Sequence, residues 1–217
     1  MQLAPFIDHT LLKADANIQD IDTLCQEAIA HNFYAVCVPP YHVEASAKLL
    51  KKSTVKIATV IGFPMGYSAV PAKVEEIKRA IQKGADEIDA VINVAAVKSA
   101  DWKYVSNEIN SIYTAVNMRR KVLKLILETA LLSHTEIAQV CAICSEIGVD
   151  FVKNATGFNG KGADVETIQF LRTALPDRIK IKASAGIRTA EFAQQLIDAG
   201  ADRIGTSSGV AIAQQMV

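Results

Sequence analysis

The sequence predicts a closed (β/α)₈ barrel of the TIM-barrel class, with residues 1–217 forming a single domain, and three observations lead to it. Short apolar, β-branched runs alternate with longer amphipathic ones along the whole chain, which is the pattern of repeated βα units around a parallel sheet. Eight such runs occur, with helical periodicity between them and no linker or low-complexity stretch. The length of 217 residues, half of them apolar, suits one domain with a large core. An open doubly wound sheet is the runner-up architecture.

The strand candidates, in order, are FIDHT around Asp8, FYAVCV from Phe33, VKIATVIG from Val55, EIDAVIN from Glu87, VLKLILE from Val122, VDFVKN from Val149, IKIKAS from Ile179 and RIGTSS from Arg203. Between Trp102 and Arg120, the residues Val105, Ile109, Ile112 and Val116 share one helical face. Ser133 and Glu136 form a capping box, after which Ile137, Val140, Cys141, Cys144 and Ile147 fall on one stripe. Three strands are entered through the same punctuation, Gly84-Ala-Asp86, Gly148-Val-Asp150 and Gly200-Ala-Asp202. Glycine there fits the left-handed residue that ends a helix before the chain turns into a strand.

Composition excludes several function classes. With 23 basic against 23 acidic residues the formal charge is +0, so no sequence-wide field draws the chain to nucleic acid or to an anionic membrane. No run approaches the ~18 apolar residues of a membrane span, and MQLAPFIDHTLLK has no basic segment before an apolar one, so a soluble cytoplasmic protein is expected. Cys141 and Cys144 have CxxC spacing, but they sit on a core-facing stripe, no second CxxC exists, and the histidines are scattered. No metal and no organic cofactor is expected. GxGxxG is missing after the first strand, and the GKG at 160–162 lacks P-loop spacing.

Strand alternation raises a question that composition does not. The interior of such a barrel is usually Val, Ile or Leu. In EIDAVIN, however, Ile88, Ala90 and Ile92 suit helix packing and leave Asp89 and Asn93 pointing inward. By the same parity Phe151 and Lys153 face inward on the sixth strand, and Ile179 and Ile181 pair outward on the seventh and send Lys182 inward. Lys124 and Glu128 enter from the fifth strand, Asp8 and Thr10 from the first. Three lysines then balance Asp8, Asp89 and Glu128, either as a structural ion-pair network or as a reactive site. In the chemical reading, Lys153 and Lys182 on adjacent strands disfavour each other's charge, leaving one amine neutral near pH 7. Such an amine attacks a carbonyl to give a Schiff base that acts as an electron sink, while Asp89 shuttles protons. Parity also places Cys37 at this mouth, as a packed hydrophobe or a pocket thiol; ammonium neighbours would lower its pKa and burial raise it.

Thr156-Gly157, the stretch from Ser184 to Gly186, and Gly205 with Thr206, Ser207 and Ser208 follow strand ends on one side of the barrel. Loops after the last two strands are the usual phosphate site of this fold, though glycine there could equally be turn punctuation.

Taken in order, IDHTLL, VIGFPMG, GADEIDAVIN, KLILET, VDFVKNATGF, IKASAGIRT and IGTSSGVAI resemble the deoxyribose-phosphate aldolase family over nearly the whole chain. The resemblance implies reversible cleavage of 2-deoxy-D-ribose 5-phosphate to acetaldehyde and D-glyceraldehyde 3-phosphate without metal or organic cofactor, in deoxynucleoside catabolism. It makes Lys153 the Schiff-base lysine, Lys182 its tuning partner and Asp89 the proton-transfer group. Asp8, Thr10 and Lys124 match accessory pocket positions, while Gly157, Gly186, Gly205, Ser207 and Ser208 match phosphate-binding loops; Thr156 and Cys37 complete the candidate pocket. A homodimer is a further expectation. Alternatives are a different Schiff-base aldolase, or a phosphosugar-binding barrel that has lost activity, the latter motivated by Asn154, Ala155 and the end of the sequence at Val217 short of the family's longer tail; Ala185 is a further departure from the family pattern.

Overall fold

The computed structural model describes residues 3–215. Among them, eight parallel strands close into a barrel in chain order: β1 (Ile7–Thr10), β2 (Ala35–Val38), β3 (Lys56–Ile61), β4 (Glu87–Val91), β5 (Val122–Ile126), β6 (Phe151–Lys153), β7 (Lys180–Ser184) and β8 (Arg203–Thr206). β8 returns to pair with β1, Asp8 opposite Gly205, so the sheet has no free edge and the open-sheet alternative is excluded. The crossovers hold α1 (Ile18–Ala30), α2 (Val43–Leu49), α3 (Val70–Gln82), α4 (Val94–Lys98), α5 (Trp102–Asn117), α6 (His134–Ile147), α7 (Val165–Ala174) and α8 (Ala190–Asp198), and α9 (Gly209–Gln214) follows β8. One crossover differs from expectation. Between β4 and β5 the chain makes two helices because Asn93 caps α4, Ala100 turns left-handed, and Asp101 then caps α5 through Tyr104 N–H.

Local sequence explains the helix ends. Asn17 with Asp20, and Ser133 with Glu136, form capping boxes, and Gly148 ends α6 with φ 83°. The aspartates of the three repeated punctuation motifs have a further role. Asp86, Asp150 and Asp202 accept the backbone N–H of Ile57, Leu123 and Ile181 respectively, each on the preceding strand of the barrel, at 2.8–3.3 Å. Each motif therefore ends a helix and also fixes where its strand meets the neighbour.

The main apolar core lies outside the barrel, between strands and helices. Ile88, Ala90, Ile92, Ile179 and Ile181 pack there with the predicted stripes of α5 and α6. Cys141 and Cys144 are part of it; their thiols are free, and burial pushes Cys141 up to about 12. Inside the barrel, the apolar cluster found among the described residues is small: Cys37, Ala58 and Val60, with Leu12 and Phe63 packed on it. Much of the remaining interior is charged, with Phe151 beside Arg203.

A second buried charge lies in the helical layer. Lys73 of α3 and Glu108 of α5 are fully buried and pair at 2.8 Å; Lys73 also donates to Val91 O at 2.7 Å and to Gly66 O, while Glu108 accepts Asn93 N–H at 2.8 Å. The pair fastens the β3–α3 loop to the end of β4, and glycine is required where that loop passes: a Cβ on Gly66 would lie 1.9 Å from Ile92 O. Burial drives the Lys73 pKa down despite Glu108. Removing one partner leaves the other charge buried and unpaired, so Glu108→Ala is expected to lower unfolding free energy by about 3–5 kcal/mol in urea titrations. A loss under about 1 kcal/mol would show that water reaches Lys73 and the pair is not a fastening.

Candidate active site

The barrel interior holds four basic side chains and three carboxylates in one connected network. Asp89 on β4 is its hub. Its Oδ1 accepts from Lys124 Nζ at 2.9 Å, and its Oδ2 accepts from both Lys153 Nζ at 2.9 Å and Lys182 Nζ at 2.8 Å. Asp8 on β1 is the second hub, bound by Lys182 at 2.5 Å and by Arg203 at 2.6 Å. Glu87 closes the circuit, paired with Lys124 and, at 3.3 Å, with Arg203. Strand pairing brings these groups together, since Asp89 sits opposite Lys124, Lys153 opposite Lys182, and Lys182 opposite Arg203.

Burial by itself disfavours every one of these charges, and the neighbours decide the outcome. Asp89, fully buried, would rise, but Lys124, Lys153 and Lys182 hold it well below the ordinary carboxylate range. Burial likewise works to raise Asp8, and Lys182, Lys124 and Arg203 bring it down to about 2. For Lys182, burial favours loss of the proton, yet Asp8 and Asp89 overcome it and move the pKa above the ordinary lysine value; Lys124 moves the same way under Asp89 and Glu87. For Lys182, then, two carboxylates outweigh both burial and any like charge from Lys153, and the ammonium form is favoured. Lys153 differs from the other members in position. It alone of the network lines the pocket at the barrel mouth.

That pocket is about 280 Å³. Thr10, Lys153, Thr156, Gly157, Gly186, Gly205 and Ser207 line it, as do Lys13 and Arg188, which follow β1 and β7 and were not singled out from the sequence. Asp8, Asp89, Lys124, Lys182 and Cys37 lie beneath, fully buried. Ser208 is outside the lining; it precedes α9 and donates its N–H to Thr206 Oγ1 at 2.9 Å. Gly205 is needed for space, because a Cβ there would lie 2.9 Å from Lys182 Cε and block the lysine's path to the two aspartates. Burial raises the Cys37 thiol despite Lys182, and its side chain packs in the small interior cluster, outside the pocket lining.

Two inward assignments are corrected. Asn93 caps α4 instead of entering the network, and Glu128 leaves the strand at a left-handed turn and binds Thr156. Their places are taken by Glu87 and Arg203, which the same period-two reading would have found: each lies two residues before a position already assigned inward or to the mouth, Asp89 and Gly205. Of the departures from the family pattern, Asn154 accepts Ser184 N–H at 2.8 Å and ties β6 to β7, and Ala185 lines the pocket with a left-handed φ of 74°.

The folded state depresses the Asp8 pKa from 3.8 to about 2, so its stabilisation is fully present above the unfolded value and is lost as pH falls through the folded one. Between pH 4 and pH 2, Asp8→Asn is expected to flatten the fall of unfolding free energy with acid by on the order of 2 kcal/mol. Parallel curves for wild type and variant would show that Asp8 is not held ionised.

Residues 3–215 match the family model described as DeoC/LacD family aldolase. The chain is 48% identical over 215 residues to the deoxyribose-phosphate aldolase of Caldicellulosiruptor saccharolyticus, covering 99% of this chain and 98% of that protein. Identity to the deoxyribose-phosphate aldolase of Thermococcus gammatolerans is 45%, with 99% and 96% covered. Among solved structures, the tetrameric deoxyribose phosphate aldolase of Aeropyrum pernix superposes with a TM-score of 0.92 at 32% identity, covering 99% of this chain and 90% of that one. A family match over almost the whole length, relatives of similar length and a closed barrel built around three lysines agree, and the chain belongs to the DeoC/LacD family of aldolases.

Proposed function

We propose that this chain is a class I aldolase that reversibly cleaves 2-deoxy-D-ribose 5-phosphate to acetaldehyde and D-glyceraldehyde 3-phosphate, with Lys153 as the Schiff-base nucleophile. The observation that carries this is the position of Lys153: one amine of a buried ionic network opens on the pocket, hydrogen-bonded to a carboxylate oxygen that Lys182 also holds. In the cleavage direction the Lys153 Nζ lone pair attacks the substrate aldehyde carbon, and loss of water gives the iminium. Breaking the C2–C3 bond sends its electron pair into the iminium, giving an enamine, while the C3 hydroxyl loses its proton and becomes the aldehyde of the product. Protonation of the enamine carbon and hydrolysis then release acetaldehyde and restore the amine. Asp89 and Lys182 are the proton-transfer partners, because Asp89 Oδ2 accepts from both amines and leaves a short path between them.

The far end of the pocket suits a phosphate. Lys13 and Arg188 supply positive charge, and the backbone around Gly186 and Ser207 supplies N–H groups beside them. Partners are thus a phosphorylated sugar and acetaldehyde. No described helix is long and apolar enough to cross a membrane, and the four cysteines are free and buried, which fits a reducing, cytoplasmic setting. Self-association, as a homodimer or a larger assembly, belongs to this reading through the family.

Incubation with acetaldehyde and borohydride is expected to place a reduced two-carbon adduct on Lys153, found by peptide mass mapping, and Lys153→Ala is expected to lose adduct and turnover with the fold intact. A phosphosugar-binding barrel without activity gives no adduct, and an adduct on another lysine overturns the assignment. Lys182→Leu removes one of two ammonium groups sharing Asp89 Oδ2, which makes positive charge on the other easier to hold. The rise of rate with pH is then expected to move to higher pH, and an unchanged profile in a folded variant would mean the two amines are not coupled.

A further inference from the structure

Just past the ends of β5 and β6, beside Lys153, the pairing gains one extra residue on the β5 side. Leu127 N–H donates to Lys153 O at 3.0 Å and Thr129 N–H to Asn154 O at 2.9 Å, so two successive carbonyls leaving β6 meet residues two apart on the segment leaving β5. The inserted residue is Glu128, with φ 57° and ψ 59°. That left-handed conformation favours glycine and disfavours a side chain, and bulges of this kind beside a site re-aim the side chain they carry.

The re-aimed carboxylate is 1% exposed and is matched by three neutral donors from the β6–α7 loop. Oε1 accepts Thr156 N–H at 3.1 Å; Oε2 accepts the Thr156 hydroxyl and Asn159 Nδ2, the latter at 3.2 Å. Thr156 Oγ1 in turn accepts Phe158 N–H at 3.1 Å. Asn159 also reaches Pro64 O at 3.4 Å, and the Phe158 ring meets the Phe63 ring edge-on at 5.2 Å, so the loop is held across the mouth as well. Thr156, Gly157 and Phe158 are pocket-lining residues.

We propose that Glu128 is a positioning residue: through Thr156 and Asn159 it sets the loop from Thr156 to Phe158 against the sugar phosphate, without touching the reacting atoms. A carboxylate fits this task because it only accepts, and all three loop groups donate. An amide would turn a donor toward at least one of them. The proposal rests on the aldolase reading of the same pocket. It makes a different demand, since acetaldehyde needs Lys153 and its charged neighbours, whereas the phosphorylated sugar also needs the loop.

The test uses the full chain and two readouts, kcat and KM for 2-deoxy-D-ribose 5-phosphate, and the rate of borohydride trapping of acetaldehyde on Lys153. Glu128→Gln is expected to raise KM about tenfold or more with kcat and trapping within about threefold. Thr156→Val should show the same loss and Thr156→Ser, which keeps the hydroxyl, should recover most of it, and the double variant E128Q/T156V should be no worse than about twofold below E128Q because the two side chains act as a unit. Folded E128Q with unchanged KM, a loss in kcat alone, a parallel loss of trapping, or multiplying effects in the double variant overturns the proposal. If E128Q does not fold, the threonine pair decides: Thr156→Val equal to Thr156→Ser overturns it. Absence of an adduct in the wild type defeats the aldolase reading together with the proposal, whereas each of the other outcomes defeats the proposal alone.

Discussion

A single buried carboxylate, Asp89, accepts hydrogen bonds from three lysines inside the barrel, and the organisation of the molecule depends on that arrangement. Each ion taken from water costs several kcal/mol even after the protein relaxes, and only close opposite charge recovers it. The network meets that condition by being continuous: Asp89, Asp8 and Glu87 between them contact Lys124, Lys153, Lys182 and Arg203. Two side-chain choices make room for it. Gly205 has no Cβ to obstruct Lys182, and Cys37, Ala58 and Val60 keep the opposite side of the interior small.

Stability must therefore come from elsewhere, and the outer layer supplies it. Strand residues of the opposite parity join the helices in one continuous apolar shell, in which Ile88, Ala90, Ile92, Ile179 and Ile181 are fully buried. At roughly 25 cal/mol per Å² of apolar surface removed from water, such a shell offsets a costly interior. The Lys73–Glu108 pair belongs to this layer and does a separate job, anchoring the β3–α3 loop whose Phe63 packs over the interior cluster.

Geometry opens one amine of the network to the pocket. Lys124, Lys182 and Arg203 are enclosed and ion-paired, while Lys153, at the last residue of β6, faces the pocket. Lys13 and Arg188 line the same pocket with positive charge, and Glu128 binds the loop between them and Lys153. The interior network thus sets the charges around Lys153, and the loops shape the pocket above it.

Much of this was legible in the residues. Period-two alternation and repeated βα units are local properties, so the eight strands, the outer core and the inward directions of Asp8, Asp89, Lys153 and Lys182 follow from order alone. The same period should have yielded Glu87 and Arg203. Pairing was not legible: whether Lys182 is weakened by Lys153 or held by Asp8 depends on which strands close the barrel, and Asp8 and Lys182 are 174 residues apart in the chain. Nor could alternation follow Glu128 and Asn93, because a bulge and a helix cap break the strand period at its end. The sequence by itself determined which side chains enter the barrel; only the tertiary structure decided which charges share an oxygen, since a pKa in a buried site is fixed by neighbours within a few ångströms and those neighbours come from distant strands.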